Sequence, residues 1–148
     1  MIETTDQQST TERLRGLTSL TSGRTVARTV YLGAAALLVA GGIVQVFLAG
    51  LGVFDSASTF DVHRSFGYAL EILPIIMLIG AVAGRMGRWY TGGAVLLFVQ
   101  FMLQSVFVVV RTSLPAVAAL HPVNGFLILV LAGILGRAAW HDRFPMRA

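Results

Sequence analysis

Four apolar runs of about twenty residues each decide what this chain can fold into. They span Val30–Phe54, Val62–Ala83, Tyr90–Val110 and Leu120–Trp140. At about 1.5 Å of rise per residue, each is long enough to cross a hydrocarbon core of roughly 30 Å. Lipid offers no partner to a free amide, so each run must be a helix that satisfies its own backbone. The connections between runs are short, which makes neighbours in sequence antiparallel neighbours in space. The expected fold is an all-α integral membrane protein, a four-helix up-down-up-down transmembrane bundle.

Composition fits a bilayer as the surrounding medium. The 148 residues are 55% hydrophobic and 12% charged, and a chain of this length holds one domain. Residues 29–140 form the expected transmembrane domain. Residues 1–28 are a polar tail expected to be disordered, with Thr11–Leu20 able to form a short surface helix, and residues 141–148 form a second tail. There is no lysine, and all eleven basic residues are arginines. They do not gather into one basic face, so nucleic acid is excluded as a partner. Nine lie in the N-terminal tail, the Gly84–Tyr90 connection and the C-terminal tail, against Arg64 and Arg111 on the other side. The positive-inside rule therefore predicts that both termini are cytoplasmic, and the expected location is the plasma membrane of a prokaryote. Trp89, Tyr90 and Trp140 then fall at the inner headgroup boundary. With no cysteine, neither a disulfide nor a thiolate metal site is available.

Several local expectations follow. Small residues four apart, at Ala36/Ala40, Gly80/Gly84 and Ala132/Gly136, predict close helix approaches. Asp61 is placed to cap the second helix, and Pro122 suits the first turn of the fourth. Pro74 leaves the carbonyl of Leu70 without its helical donor and predicts a bend.

The histidines give the pattern a chemical reading. His63 opens the second run and His121 the fourth, 58 residues apart, each followed by glycine four residues later at Gly67 and Gly125. Gln45 precedes the first by 18 residues and Gln104 precedes the second by 17. Two helical hairpins related by an axis along the membrane normal would produce this echo. Both histidine-bearing helices run in the same direction, so the two imidazoles lie at similar depth near the outer face. That is what a haem b held between two histidines requires. Gly67 and Gly125, one turn deeper on the same face, would let a flat macrocycle lie against the backbone. Arg64 and Arg111 would pair with its propionates. The other reading of the same residues is two interfacial histidines at helix starts.

Glu71 is the one ionisable residue near the middle of a run, spaced four and eight residues from Gly67 and His63. Intramembrane carboxyl groups mark function by default, which makes Glu71 a candidate for proton transfer or for a quinone head group, with Gln45 and Gln104 beside it. Its alternative role is to satisfy polar groups freed by Pro74. The glutamines, Gln100 included, also read as interhelical glue. Two histidines without a third good ligand serve a zinc ion poorly.

The His63-Arg64 pair at the start of the second run, with His121 at the start of the fourth, resembles one four-helix half of the haem A synthase family, over Val30–Trp140. That resemblance implies His63 and His121 as axial ligands. Only one half is present, the outer loops lack a cysteine pair, and Asp61 is the nearest acid before the first histidine. The resemblance therefore implies haem binding without haem modification. The His121-Pro122-Val123-Asn124-Gly125 box is also similar to one in an uncharacterised family of small four-span prokaryotic membrane proteins. The sequence thus points to a b-type haem protein for electron transfer, with a quinone or redox protein as partner. A cofactor-free structural or assembly subunit of a larger membrane complex, or a homo-oligomer, is the competing expectation, and a small transporter using Glu71 is a third.

Overall fold

The computed structural model describes the backbone of residues 3–143, with side chains of Gly16, Ser19 and residues 21–142. The side chains of Arg13, Arg15 and Arg143, and all of residues 144–148 with Arg147, lie outside the described residues. Every regular element described is helical: α1 (Glu3–Phe54), α2 (Thr59–Leu70), α3 (Ile72–Ala83), α4 (Arg88–Val109), α5 (Pro115–Ala118) and α6 (Leu120–Arg143). Four stretches are long and apolar enough to cross a membrane, Thr21–Phe54, Thr59–Ala83, Arg88–Val109 and Pro115–Asp142. This is a multi-pass membrane protein built as a four-helix bundle. The N-terminal segment differs from expectation. Helix α1 begins at Glu3 and continues unbroken, where the polar composition predicts a disordered tail with one short helix. No proline interrupts residues 3–54, so once the apolar part is helical, propagation toward the N-terminus adds one bond per residue.

The spans form a square. Span one (α1) packs beside span two (α2 and α3) and span four (α6), and span three (α4) packs beside α3 and α6. Diagonal partners are therefore one and three, two and four. The core is made of residues that repeat between the two hairpins at offsets of 59 (span one to three) and 58 (span two to four). Tyr31 and Tyr90, Ala35 and Ala94, Leu38 and Leu97, Met77 and Leu135, and Ala81 and Ala139 are all buried, pair by pair. Tyr31 and Tyr90 meet edge to face, with ring centroids 5.6 Å apart. The echo of the histidines thus runs through the whole bundle as a pseudo-two-fold axis along its length.

Close approaches occur where glycine allows them. A methyl group at Gly80 would stand 3.0 Å from Ala27 O and 3.1 Å from Tyr31 Cβ, which brings α3 against α1. Gly136 faces Ala35 in the same manner, and Ala132 is fully buried. Ala36 and Ala40 are instead exposed; the packing face of α1 carries Ala34, Ala35, Leu38 and Gly41. Spacing alone fixes that two residues share a face, not which face turns inward. At the end opposite the histidines, Arg28 Nε donates to Gly84 O at 2.9 Å, and the turn beyond it uses positive φ at Arg85 (49°) and Gly87 (95°). Tyr90 is buried there and donates to Asp142, whereas Trp89 and Trp140 are exposed.

Span two is interrupted at Glu71, three residues before Pro74, where the backbone stays in the right-handed helical region (φ −62°, ψ −22°). Glu71 separates α2 from α3, and its amide reaches back to Tyr68 O at 3.3 Å. The half carrying His63 packs on α1 but has no Cα within 8 Å of α4 or α6.

Candidate site at the histidine pair

His63 lies in the second turn of α2 and His121 is the second residue of α6, on diagonally opposed spans. Their ring centroids are 6.2 Å apart, with planes inclined by 58°. Each ring is held from the neighbouring helix of its own hairpin. His63 Nδ1 donates to Gln45 O at 3.1 Å, and His121 Nδ1 donates to Gln104 O at 3.3 Å. A carbonyl oxygen only accepts, so Nδ1 carries a proton in each ring and Nε2 is the nitrogen outside that bond. Phe60 braces His63 edge to face at 6.3 Å, and lies on Gly52 of α1, where a methyl group would stand 2.8 Å from the ring.

The glycines and glutamines form a second matched set. A methyl group at Gly67 would stand 2.6 Å from Gln45 Nε2, and one at Gly125 would stand 3.0 Å from Gln104 Nε2. Each glycine is thus the seat of an amide from the adjacent helix. The flat face expected for a macrocycle is taken by that amide. Gln104 and Gln45 also differ in their oxygens. Asn124, only 7% exposed, spends both amide protons, on Gln100 O at 2.8 Å and on Gln104 Oε1 at 3.1 Å. In the other hairpin Phe66 stands in its place, and Gln45 Oε1 is buried without a partner, as is Gln100 Oε1. From the sequence, Asn124 enters only within the His121–Gly125 box and is given no role of its own. Its matched partner Phe66 is what marks it as an inserted polar group.

The arginines do not converge on the histidines. Arg64 pairs with Asp61 at 2.7 Å on the exposed surface, and Arg111 Nη1 donates to Val108 O at 3.1 Å. Asp61 is taken up by that pair; the helix is preceded by Ser58, with no side-chain cap bond. Glu71 lies half-buried at the break, and no described residue pairs with it.

The histidine pair has the dimensions of a bis-imidazole metal site. Two rings bound through nitrogen at about 2 Å to one metal place their centres roughly 6 Å apart. Ligating histidines also fix their other nitrogen on a carbonyl or carboxylate, as both do here. Among the described residues no three His, Cys, Asp or Glu side chains gather as a metal site. A haem brings four nitrogens of its own and would ask the protein for two, the number of imidazoles that this pair offers. A family of unknown function (DUF6220) matches residues 45–113, a segment that includes Gln45, His63, Gly67, Glu71 and Gln104 and ends before His121. No curated protein and no solved structure gives a significant match.

Proposed function

We propose that the protein is a membrane b-type cytochrome in which His63 and His121 hold haem b and pass single electrons near one membrane face. The observation that carries this reading is the matched imidazole pair, 6.2 Å between centres and each Nδ1 bonded to a carbonyl. Haem held by two histidines is six-coordinate, which suits electron transfer rather than substrate activation at the metal. Gln45 and Gln104 orient the rings, and their amides fill the glycine seats. Arg64 and Arg111, at the rim, remain the positive charges nearest in sequence to the ligands and serve as propionate partners after leaving their present surface contacts. The resemblance to one half of the haem A synthase family supports binding, and the absence of cysteine argues against modification.

The arginine distribution supports both termini in the cytoplasm of a prokaryotic cell, with the histidines toward the outer face and a quinone or redox protein as partner. Replacing either histidine by alanine is expected to abolish haem retention in detergent while the chain still inserts. Haem retained at wild-type stoichiometry in both variants would overturn the assignment.

A second reading rests on the same bonds. Each histidine closes its own hairpin, α1 to α2 and α4 to α6, as a structural staple would in a cofactor-free subunit of a larger complex or a homo-oligomer. In that case the alanine variants lose thermal stability and nothing else, and a stoichiometric protein partner co-purifies.

A further inference from the structure

At the end of the bundle away from the histidines, the two hairpins differ in charge. Gly84 closes span two, and its counterpart at the offset of 58 is Asp142 in span four. Arg28 of span one donates from Nε to Gly84 O at 2.9 Å, and its counterpart at the offset of 59 is Gly87. Spans three and four thus end on an acid, which takes the hydroxyl of Tyr90, whereas spans one and two end on a base.

That base has neighbours of its own sign. Arg24 lies one turn before Arg28 on the same face of α1. A methyl group at Gly84 would stand 2.9 Å from Arg28 Cγ, so the arginine stem lies against the turn that carries Arg85. The turn is closed by Arg85 N to Val82 O at 3.1 Å and by Met86 N to Ala81 O at 3.0 Å. It holds Arg85 at φ 49°, the left-handed position after a helix end that glycine ordinarily fills. An arginine there carries a backbone cost that glycine would avoid.

No described carboxylate neutralises this group. Asp55 and Asp61 lie at the histidine end, Glu71 lies within span two, and Asp142 is taken by Tyr90. Among the described residues the one ion pair is Arg64 with Asp61, and Arg24 and Arg85 have no partner. Arg28 spends only Nε, which leaves both Nη groups to donate. The second span ends at Ala83, so the group sits where acyl chain gives way to headgroup. Exposed apolar side chains stand beside it on both spans, Val26 and Val30 on α1 and Ile79 and Val82 on α3. Guanidinium groups match phosphate oxygens in geometry as well as charge. A ligand fitting this place carries a phosphate at headgroup depth and an apolar tail. It also has net negative charge, since a zwitterionic headgroup brings its own cation to compete with the arginines.

We propose that the Gly84 end of spans one and two binds the phosphate of an anionic phospholipid, with Arg28 donating from its Nη groups and Arg24 and Arg85 flanking it. The site depends neither on iron at the histidines nor on which side of the membrane this end faces.

The test is native mass spectrometry of the full chain from detergent, titrated with dioleoyl phosphatidylglycerol and, separately, with dioleoyl phosphatidylcholine. One phosphatidylglycerol per chain is expected to bind at least about fivefold more tightly than phosphatidylcholine. Arg28→Gln should weaken it about fivefold. Arg85→Gly gives the left-handed position its preferred residue, so the thermal midpoint in detergent should hold or rise while the lipid weakens about threefold. Arg137→Gln makes the same charge change on span four and should leave binding unchanged. Equal affinity for the two lipids would overturn the proposal, as would unchanged affinity in Arg28→Gln or in Arg85→Gly. A loss as large in Arg137→Gln would reduce the effect to general surface charge and also overturn it. Inorganic phosphate at the lipid's concentration should displace nothing; displacement would assign the arginines to a soluble anion instead.

Discussion

Two glycines illustrate what a residue does here when its side chain is a single hydrogen. Gly67 makes room for Gln45 Nε2, the mobile end of a flexible chain, whereas Gly80 makes room for the backbone of α1 at Ala27 O and Tyr31 N. An alanine at 67 can push an amide aside; one at 80 must force α3 away from α1. Gly67→Ala is therefore expected to cost under about 1 kcal/mol and Gly80→Ala about 1–3 kcal/mol, read from thermal unfolding in detergent. Equal losses would contradict this account of the packing. The sequence carries the glycines at matched spacing, but spacing names only a face of one helix. What reaches that face comes from a residue 22 positions earlier in the chain, so a seat for an amide reads as a seat for a macrocycle. The Tyr90–Asp142 bond, across 52 residues, has no local signature either.

At the scale of elements, the four spans were legible because apolar length alone demands them, and apart from the start of the first their ends fall within a few residues of the helices observed. The break in span two was legible too, since Pro74 can neither donate to Leu70 O nor fit beneath it. Pro74→Ala restores the donor, and α2 and α3 are expected to fuse. Amide exchange over residues 71–74 should then slow about fivefold, the equivalent of one net hydrogen bond of about 1 kcal/mol. Unchanged exchange would mean that Glu71 and not Pro74 holds the break open. What could not be read was the long start of α1. Polar residues without an apolar stripe give no periodicity to distinguish a solvated helix from a tail.

The whole molecule is two hairpins around one axis, and the pairing of positions fails at Asn124 against Phe66, and at Glu71 with Phe101 against Leu129 with Gly42. The pairing of His63 with His121 was legible from sequence, because two parallel spans start at the same depth. The distance between the rings was not, since it depends on how far apart diagonal helices stand. The proposed orientation rests on arginine placement, and the cysteine-free chain offers a clean test. In intact cells an impermeant maleimide is expected to label Ser113→Cys and to leave Met86→Cys untouched; the reverse pattern would invert the assignment. The central claim is tested most directly by the visible spectrum of the purified protein, oxidised and then reduced with dithionite, with haem counted as its pyridine complex. Sharp low-spin reduced bands at about one haem per chain are expected from two axial histidines. A colourless protein, still colourless when haem is supplied during expression, would contradict the claim and leave the histidines as staples.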